Sequence, residues 1–441
     1  MNVFPPPEQY LNPFPFYAQM RKHYPIVYDE KNDIWGLFRY KDIQTILSDY
    51  KHFSSDAQRL ANIRQGHNQQ QRSRLRTSLL TSDPPYHSQL RRVVSSAFTP
   101  NTIFKLRPRI EQICRNMVNK VIKLGQMDLI DDLAYPLPVT VIAELLGIPI
   151  QDQDTFKKWA DELLGSTRGS TNNLPSDKAS EVIFKKVQSE MDSYFTNIIE
   201  KKRKSGGEGV VSGSSDLISN LLRAEIEGNK LSDEEILSFC SLLLLAGHVT
   251  TVNLIGNVVR SLLEHPQQLE QLLFSLQNDN GNNNDKGAYN NSNSNNSLLS
   301  SAIEETLRYR SPVQAVFRFA VQDITVGSGG EEGGEKRIQR GQGMIMWIGS
   351  ANHDESIFPA AERFDISRTF DTNTHLAFGH GIHFCLGSIL AGLETQVVLK
   401  TILNRLHNLR FADEYKEELL KPLHGIFFHG VSHLPLSFEP A

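Results

Sequence analysis

The stretch FGHGIHFCLG, residues 378–387, sets one cysteine between a glycine-containing loop and an amphipathic helix that we predict over residues 386–406. The dipole and the free N–H groups of a helix N-terminus stabilise a thiolate. Glycines at positions 381 and 387 would let a flat group approach the backbone closely. Since one thiolate below a planar iron cofactor is what haem-thiolate chemistry requires, the pattern indicates Cys385 as a candidate iron ligand.

The composition is that of a soluble globular protein that can bury a large core. The chain has 441 residues and a mass of 49.8 kDa, with 39% apolar and 22% charged residues. The 46 basic and 50 acidic residues give a net charge of −4. The chain therefore lacks the excess of basic residues that is typical of nucleic-acid-binding proteins. The same composition excludes collagen, coiled coils and wholly disordered chains.

The three cysteines, Cys114, Cys240 and Cys385, stand far apart and form no C-x-x-C pair. A disulfide framework or a four-cysteine zinc site is therefore not expected, and a reducing, cytoplasmic setting fits best. For Cys114 and Cys240 we expect burial as small apolar side chains.

Helical periodicity dominates the chain and predicts a mainly α fold with small antiparallel sheets. Ser232 and Glu235 form a capping box at the start of a long helix that Pro266 ends. Apolar spacing predicts further helices over residues 103–124, 155–164, 181–202 and 301–310. Strands are predicted at residues 26–28, 34–38, 316–326 and 344–348, and in a hairpin within 425–438.

The sequence predicts no membrane segment. The proline-rich start, residues 1–17, lacks the apolar run of a signal peptide. The most apolar run, residues 236–247, is shorter than the about 18 residues that a membrane span needs, so we predict a buried core helix. Residues 278–297 are half asparagine and cannot bury a core, which predicts a disordered surface insertion within a single domain of residues 1–441.

The cysteine pattern Phe-x-x-Gly-x-His-x-Cys-x-Gly resembles the cysteine-ligand loop of the cytochrome P-450 family of haem-thiolate monooxygenases. Further marks of that family are ETLR at 305–308, ERFD at 362–365, DPPYHSQLR at 83–91 and AGHVTT at 246–251. The resemblance spans nearly the whole chain and is nearest to the soluble prokaryotic type. It implies the cytochrome P-450 fold, in which a large helical part joins a smaller β-rich part. Haem would lie between the long central helix and the cysteine loop.

The resemblance implies haem b as the cofactor, with Cys385 as the metal ligand. Two carboxylates in an apolar slot need cationic or N–H partners. The propionate partners that the family places there are His87, Arg91, Arg318 and His375. The other implied cofactor contacts are Phe378, Gly381, His383 and Gly387. By the same resemblance, Glu305, Arg308 and Arg363 would form a buried structural ion network.

The segment AGHVTT resembles the family's oxygen-activation motif, alanine-glycine-x-acid-threonine-threonine. The implied catalytic positions are Ala246, Gly247, His248, Thr250 and Thr251. Thr250 would donate a hydrogen bond to the distal atom of bound dioxygen, and proton delivery there is general acid catalysis through water. Val249 departs from the motif, because valine cannot relay protons as the usual acid does. His248, solvent or substrate would then take that role, or the oxidant route differs.

The implied substrate pocket is apolar and comprises Leu242, Leu243, Val313, Val316, Phe317 and Phe427. We therefore predict a monooxygenase that hydroxylates or epoxidises a small to medium apolar substrate with dioxygen and two external electrons. Since no glycine-rich dinucleotide fingerprint follows a strand, a separate ferredoxin- or flavodoxin-type donor with its reductase is expected. The protein is expected to be a monomer that binds neither membrane nor nucleic acid.

Other interpretations stay open at this point. Within the family, the protein could be peroxide-driven, or an isomerase or dehydratase that uses no dioxygen. Outside it, a non-enzymatic haem sensor of gas or redox state would keep Cys385 without needing Thr250 or an apolar pocket. A zinc protein using His380, His383 and Cys385 is a further alternative, although the sequence offers no clear fourth ligand.

Overall fold

The structure of the protein is a computed structural model. It describes residues 1–56, 59–60, 63, 78–167, 178–204, 216–226, 229–278, 297–327, 334–370, 375–416, 420–423 and 425–440. The predicted asparagine-rich insertion lies outside these residues apart from its two ends, Asn278 and Ser297.

Helices make up most of the described chain, as predicted. They are α1 (Phe14–His23), α2 (Tyr40–Ser48), α3 (Tyr86–Ser95), α4 (Pro100–Phe104), α5 (Arg107–Val121), α6 (Pro136–Leu146), α7 (Gln153–Thr167), α8 (Lys178–Lys204), α9 (Leu217–Arg223), α10 (Asp233–Glu264), α11 (Pro266–Asn278), α12 (Leu298–Tyr309), α13 (Ile348–Ala351) and α14 (Ser388–Arg405). The predicted helix over 103–124 is split between α4 and α5. Pro108 starts a new helix because proline fits the first turn, where no N–H is needed.

The strands form small sheets beside the helices. They are β1 (Ile26–Asp29), β2 (Ile34–Leu37), β3 (Phe53–Ser54), β4 (Gln126–Asp128), β5 (Glu225–Ile226), β6 (Asn229–Lys230), β7 (Ala315–Ala320), β8 (Ile324–Val326), β9 (Lys336–Ile338), β10 (Gly343–Trp347), β11 (Leu406–Phe411) and β12 (Pro435–Pro440). The largest sheet has the order β1-β2-β10-β7-β3, and a second has the order β11-β12-β4. Pairing is antiparallel as predicted, except that β10 runs parallel to β2. The predicted terminal hairpin is instead one strand, β12, which pairs with β11 and β4.

The long helix α10 forms the centre of the core, packed against α6, α8, α12 and α14. Its capping box is present, since Ser232 Oγ accepts from Glu235 N and Glu235 accepts from Ser232 N at 2.7 Å. By length and composition alone this helix could cross a membrane, with a mean hydropathy of 1.6 over 18 residues. However, 67% of that window is buried inside the protein. Burial, rather than the length of the apolar run, therefore identifies α10 as the predicted core helix.

A fully buried ion pair joins α12 to the chain that leads towards the cysteine loop. Arg308 Nε and Nη2 donate to the two carboxylate oxygens of Glu305, each at 2.8 Å. The remaining Arg308 donors reach the carbonyl oxygens of Asn352, Ala361 and Arg363 at 2.8–3.0 Å. Every N–H group of this guanidinium thus donates a hydrogen bond, which offsets most of the free-energy cost of burying its charge.

The third member of this network is not the predicted one. The side chain of Arg363 is 68% exposed and contributes only its backbone carbonyl. Arg368 takes its place, because its Nε lies 3.1 Å from Glu305 Oε2 and its side chain is 14% exposed. The loop turns over residues 365–368, where Asp365 N–H also donates to Glu305, and this turn brings the later arginine inward.

The two arginines give a matched test of this correction. Arg368→Ala should lower the free energy of unfolding by about 1–3 kcal/mol, because a charge-assisted bond to a buried carboxylate is lost. Arg363→Ala keeps its carbonyl and should change it by less than about 0.5 kcal/mol. Denaturant unfolding of the purified protein measures both. A larger loss for Arg363→Ala would reinstate the sequence-based assignment.

Candidate active site

The cysteine loop is a tight turn closed by backbone bonds. Cys385 N–H donates to Phe378 O at 2.8 Å, and Gly379 and Gly381 take φ values of +75° and +70°. Burial raises the pKa of the Cys385 thiol. The backbone N–H groups of Gly387 and Ser388 and the charge of Arg91 act in the opposite direction. The backbone donors at the start of α14 thus lower the pKa in the expected direction, but burial outweighs them.

Gly381 also has a packing role that the sequence did not reveal. A Cβ added there would lie 2.5 Å from the carbonyl oxygen of Leu47, at the end of α2. The glycine therefore lets the loop pack against α2, in addition to supplying a positive φ. At Gly387 a Cβ would lie 4.0 Å from Cys385 Sγ, which is ordinary contact distance.

Four bases converge beside the cysteine, on α3, β7 and the loop itself. The rings of His87 and His383 lie 4.3 Å apart. Burial, then the charges of Arg318, His87 and Arg91, lower the pKa of His383 to about 3. Burial lowers the pKa of Arg318 to about 10 and also lowers that of Arg91. Neither ring nitrogen of His87 finds a hydrogen-bond partner among the described residues.

One carboxylate, Asp83, acts on this cluster, because it raises the pKa of His87 and of Arg318 against the other influences. Asp83 is itself engaged by Ser54, by Ser55 and by Arg59. The cluster therefore keeps two guanidinium charges and a buried imidazole that suit a ligand with acceptor groups. Sequence reasoning missed Ser55, whose Oγ lies 3.0 Å from His383 Nε2, and no motif indicates it.

His375 is not placed like the other predicted propionate partners. Its Nε2 lies 2.8 Å from Glu304 Oε2, and its ring lies 6.0 Å from that of Phe378. It is thus next to the cysteine loop but bonded to α12. Its role as a propionate partner stays a prediction.

One face of α10 remains accessible although the helix is otherwise largely buried. Ala246 is exposed, and Leu242, Leu243 and Thr250 are partly exposed at three- and four-residue spacing. Thr250 Oγ1 donates to the carbonyl oxygen of Ala246 at 2.8 Å. This face carries the hydroxyl that the sequence assigned to dioxygen.

The other motif residues point elsewhere. His248 is buried with its ring 4.3 Å from that of Tyr135, on the side of the helix away from Thr250. Two residues along a helix turn the side chain by about 200°, so the predicted proton role of His248 does not fit its position. Gly247 faces Ile142, where a Cβ would come within 2.5 Å. Thr251 is also buried and bonds back to Gly247 O at 3.1 Å.

Phe317 and Phe427 come together at the start of β7. Val316, the neighbour of Phe317 on the strand, packs instead against the apolar cluster that contains Leu376. Phe317 is 40% exposed, and its ring meets that of Phe427 edge to face at 5.1 Å. Val313 pairs with Phe428 in an antiparallel bridge, which holds the segment 425–428 against β7. Val313 and Val316 are partly exposed, and all these side chains are apolar.

Comparison with known proteins decides the family. A family model described as cytochrome P450 matches residues 8–423. The chain belongs to the cytochrome P450 family. The resemblance, the fold class and the reaction class predicted from the sequence are thereby confirmed.

The relatives of this P450 include enzymes of both predicted reaction types. It is 36% identical over 389 residues to the cyclomarin C epoxidase CymV of Salinispora arenicola, covering 88% of this chain and 87% of that one. It is 35% identical over 418 residues to the erythromycin C-12 hydroxylase of Saccharopolyspora erythraea, covering 95% and 92%. The structure of CYP109E1 from Bacillus megaterium in complex with testosterone is similar, with a TM-score of 0.78, 34% identity and coverage of 97% and 99%.

The cofactor of this family is haem b held by a cysteine thiolate, as predicted. The residues of this P450 fit that group. Haem b carries two carboxylates, and the cluster beside Cys385 offers the two guanidinium groups of Arg91 and Arg318 together with unpartnered nitrogens on buried His87.

The zinc alternative finds no support in the described part of the chain. There, the side chains whose metal-binding atoms cluster are Asp128, Asp131 and His433, two of which are exposed. His380, His383 and Cys385 do not form such a group.

The cysteine assignment can be tested by absorption spectroscopy. Cys385→Ala should abolish the strongly red-shifted Soret band of the reduced carbon monoxide complex, because the thiolate ligand is removed. Cys114→Ala and Cys240→Ala should keep it, since burial raises the pKa of both thiols, that of Cys114 to about 11. Retention of the band in Cys385→Ala would show that the ligand is another residue.

Proposed function

We propose that this P450 hydroxylates or epoxidises a small to medium apolar substrate, using dioxygen and two electrons from a separate protein. The observation that carries the proposal is the accessible face of α10. This face presents Leu242, Leu243 and Ala246 together with one hydroxyl, that of Thr250. An apolar wall with a single polar group suits an apolar substrate held beside a site of oxygen activation.

The residues near the cysteine loop would bind different parts of the cofactor. Cys385 would ligate the iron, Arg91 and Arg318 would hold the propionates, and His87 would donate a ring N–H to one of them. When bound, haem b supplies the binding and reductive activation of dioxygen. The role left to Thr250 is to donate its hydroxyl hydrogen towards the oxygen side of the site and to accept a proton from water.

The substrate class follows from the pocket and from the relatives. The pocket side chains Val313, Val316, Phe317 and Phe427 are apolar and carry no charge to bind an ionised substrate. The similar CYP109E1 structure is a complex with testosterone, a steroid of medium size that is mostly apolar. We infer that substrates of this kind, rather than small ions, occupy the pocket.

An electron donor of acidic character would dock near the cysteine. Helices α4 and α5 pack against α14, which begins just after Cys385. Arg92 and Lys105 are exposed in this region, and Arg92 follows the Arg91 that acts on the thiol. We place the donor, a ferredoxin or flavodoxin type, on this surface. We further propose a cytoplasmic monomer, consistent with its bacterial relatives and its net charge of −4.

A peroxide-driven reaction is the second candidate, and Val249 is the observation that favours it. This side chain is buried and apolar where the family motif has an acid. Peroxide already carries both oxygen atoms and both protons, so the acid would not be needed. Product analysis with a reductase system and with hydrogen peroxide, using ligands first selected by spectral shift, tests both candidates.

The two threonines provide a matched test of the oxygen side. Thr250→Ala should lower the product formed per electron by about tenfold, because the hydroxyl beside the accessible face is lost. Thr251→Ala removes the same kind of back-bond from the buried face and should leave this ratio nearly unchanged. Both are measured as product against reductant consumed. Equal ratios in wild type and Thr250→Ala would favour the peroxide route.

The donor surface can be tested by ionic strength. Arg92→Ala should slow electron transfer from an acidic ferredoxin by about two- to fivefold at low salt, because an exposed charge that steers the donor is removed. Arg109→Ala is the control, since Glu144 already neutralises that guanidinium at 2.6 Å. Stopped-flow reduction measures both rates. If the rate of electron transfer to the wild type does not change with ionic strength, the donor does not dock on this surface by charge attraction.

A further inference from the structure

A row of polar side chains runs along one face of buried α10, starting at the catalytic threonine. The row follows three- and four-residue spacing and comprises Thr250, Asn253, Asn257, Ser261 and Glu264, the polar stripe of α10. Residues at this spacing lie about 5–6 Å apart and share one face of a helix. Apart from Thr251 and Arg260, the neighbouring side chains of the same helix stretch are apolar and buried; they are Val252, Leu254, Ile255, Val258, Val259 and Leu262.

Several polar atoms along the stripe have no hydrogen-bond partner among the described residues. They are both amide atoms of Asn253, Oδ1 of Asn257, Nδ1 of His429 and Nε of Arg310. All four side chains are buried. An unpaired buried amide costs about 1–3 kcal/mol, so such groups are ordinarily satisfied by internal water.

The stripe lies against the segment that carries His429 and Gly430. A Cβ at Gly430 would come within 2.0 Å of Asn253 Oδ1, so glycine is what leaves room for that amide. One turn further, Asn257 Nδ2 donates to the carbonyl oxygens of His429 at 2.8 Å and Arg310 at 3.0 Å. The polar groups of the stripe thus lie against those of this segment, and we call the two together the polar seam.

The far end of the stripe reaches solvent. Arg310 Nη1 donates to Ser261 Oγ at 2.9 Å, and its Nη2 donates to Glu264 Oε2 at 2.5 Å. Arg260 Nε reaches the other oxygen of Glu264 at 2.6 Å. The Glu264 side chain is 22% exposed, while every other stripe residue beyond Thr250 is buried. Glu264 is therefore where the seam opens to water.

We propose that the polar stripe holds a file of internal water that carries protons from solvent at Glu264 to Thr250. This inference rests on the proposed function, because it concerns proton supply to the same site. It gives this chain a route that needs no acid at Val249 and no participation by His248. Asn253 is a positioning residue in this route, since it orders water without touching the reacting atoms.

The proton demand follows from the balanced reaction. A substrate C–H group, dioxygen, two electrons from the donor and two protons give a C–OH group and one water. The C–H bond is oxidised, the O–O bond breaks, and both protons leave in the water formed. When proton delivery to the distal oxygen fails, the same two electrons and two protons leave as hydrogen peroxide. Peroxide-driven turnover needs no protons from outside.

Asn253→Leu is the test variant, because leucine has a similar size and cannot bond water. In reductant-driven turnover we expect its product per electron to fall about fivefold or more, with a matching rise in hydrogen peroxide. In peroxide-driven turnover its product yield should equal that of wild type. Asn253→Asp keeps a polar group in place and should retain most of the wild-type ratio. Ile255→Leu, on the opposite face of α10, should change neither.

A second measurement does not depend on turnover. Magnetic relaxation dispersion of water counts long-residence internal molecules, and Asn253→Leu should hold fewer than wild type and Ile255→Leu. If Asn253→Leu does not fold, Gly430→Ala serves instead, because its Cβ displaces the Asn253 amide. Equal losses in both turnover arms, no loss in the reductant arm, or an unchanged water count would each overturn the proposal. A wild type that forms no product with either oxidant would instead refute the proposed function. The water count would still show whether the polar stripe holds internal water.

Discussion

The rest of the structure depends on the burial of Arg308. A guanidinium with no solvent exposure must have each donor matched, and here the acceptors are Glu305 and three backbone carbonyls. Those carbonyls belong to residues 352–363, so this stretch must stay folded around the charge. Asn352 extends the constraint, because its Oδ1 accepts from Leu376 N–H at 2.7 Å at the start of the cysteine loop. The position of Cys385 is therefore fixed partly by an ion pair on another helix.

The positive side chains near the cysteine carry two charges, which is the number that a ligand with two carboxylates needs. Burial and neighbouring cations lower the pKa of His383 to about 3, and they also lower that of His87. Both rings are then neutral at pH 7, whereas Arg318, with a pKa of about 10, stays charged, as does Arg91. These two charges are available to bind the two propionates of haem b. Because the cofactor binds the folded chain and relieves this repulsion, its binding stabilises the fold.

The features that could be predicted from the sequence are those that depend on residues close together in the chain. The capping box of α10, the hairpin β1–β2 and the cysteine loop follow from spacing and turn chemistry. It could not choose between Arg363 and Arg368, because both lie in one loop and only its path brings Arg368 to Glu305. The parallel pair β2–β10 likewise joins distant segments that have no local signal. That His248 lies on the side of the helix away from Thr250 was predictable, since two residues along a helix turn the side chain by about 200°.

A buried helix that only packs a core would be expected to carry apolar side chains and not asparagine amides. Each buried polar side chain costs free energy unless it is bonded, and apolar residues of similar volume avoid that cost. In the second half of α10 the buried side chains are mostly apolar, and the two buried amides, Asn253 and Asn257, both lie on the face that continues from Thr250. A role in bracing explains Asn257, which bonds two carbonyls, but leaves Asn253 with no bond among the described residues. Water that links the catalytic hydroxyl to solvent accounts for both residues and for the glycine that makes room beside them.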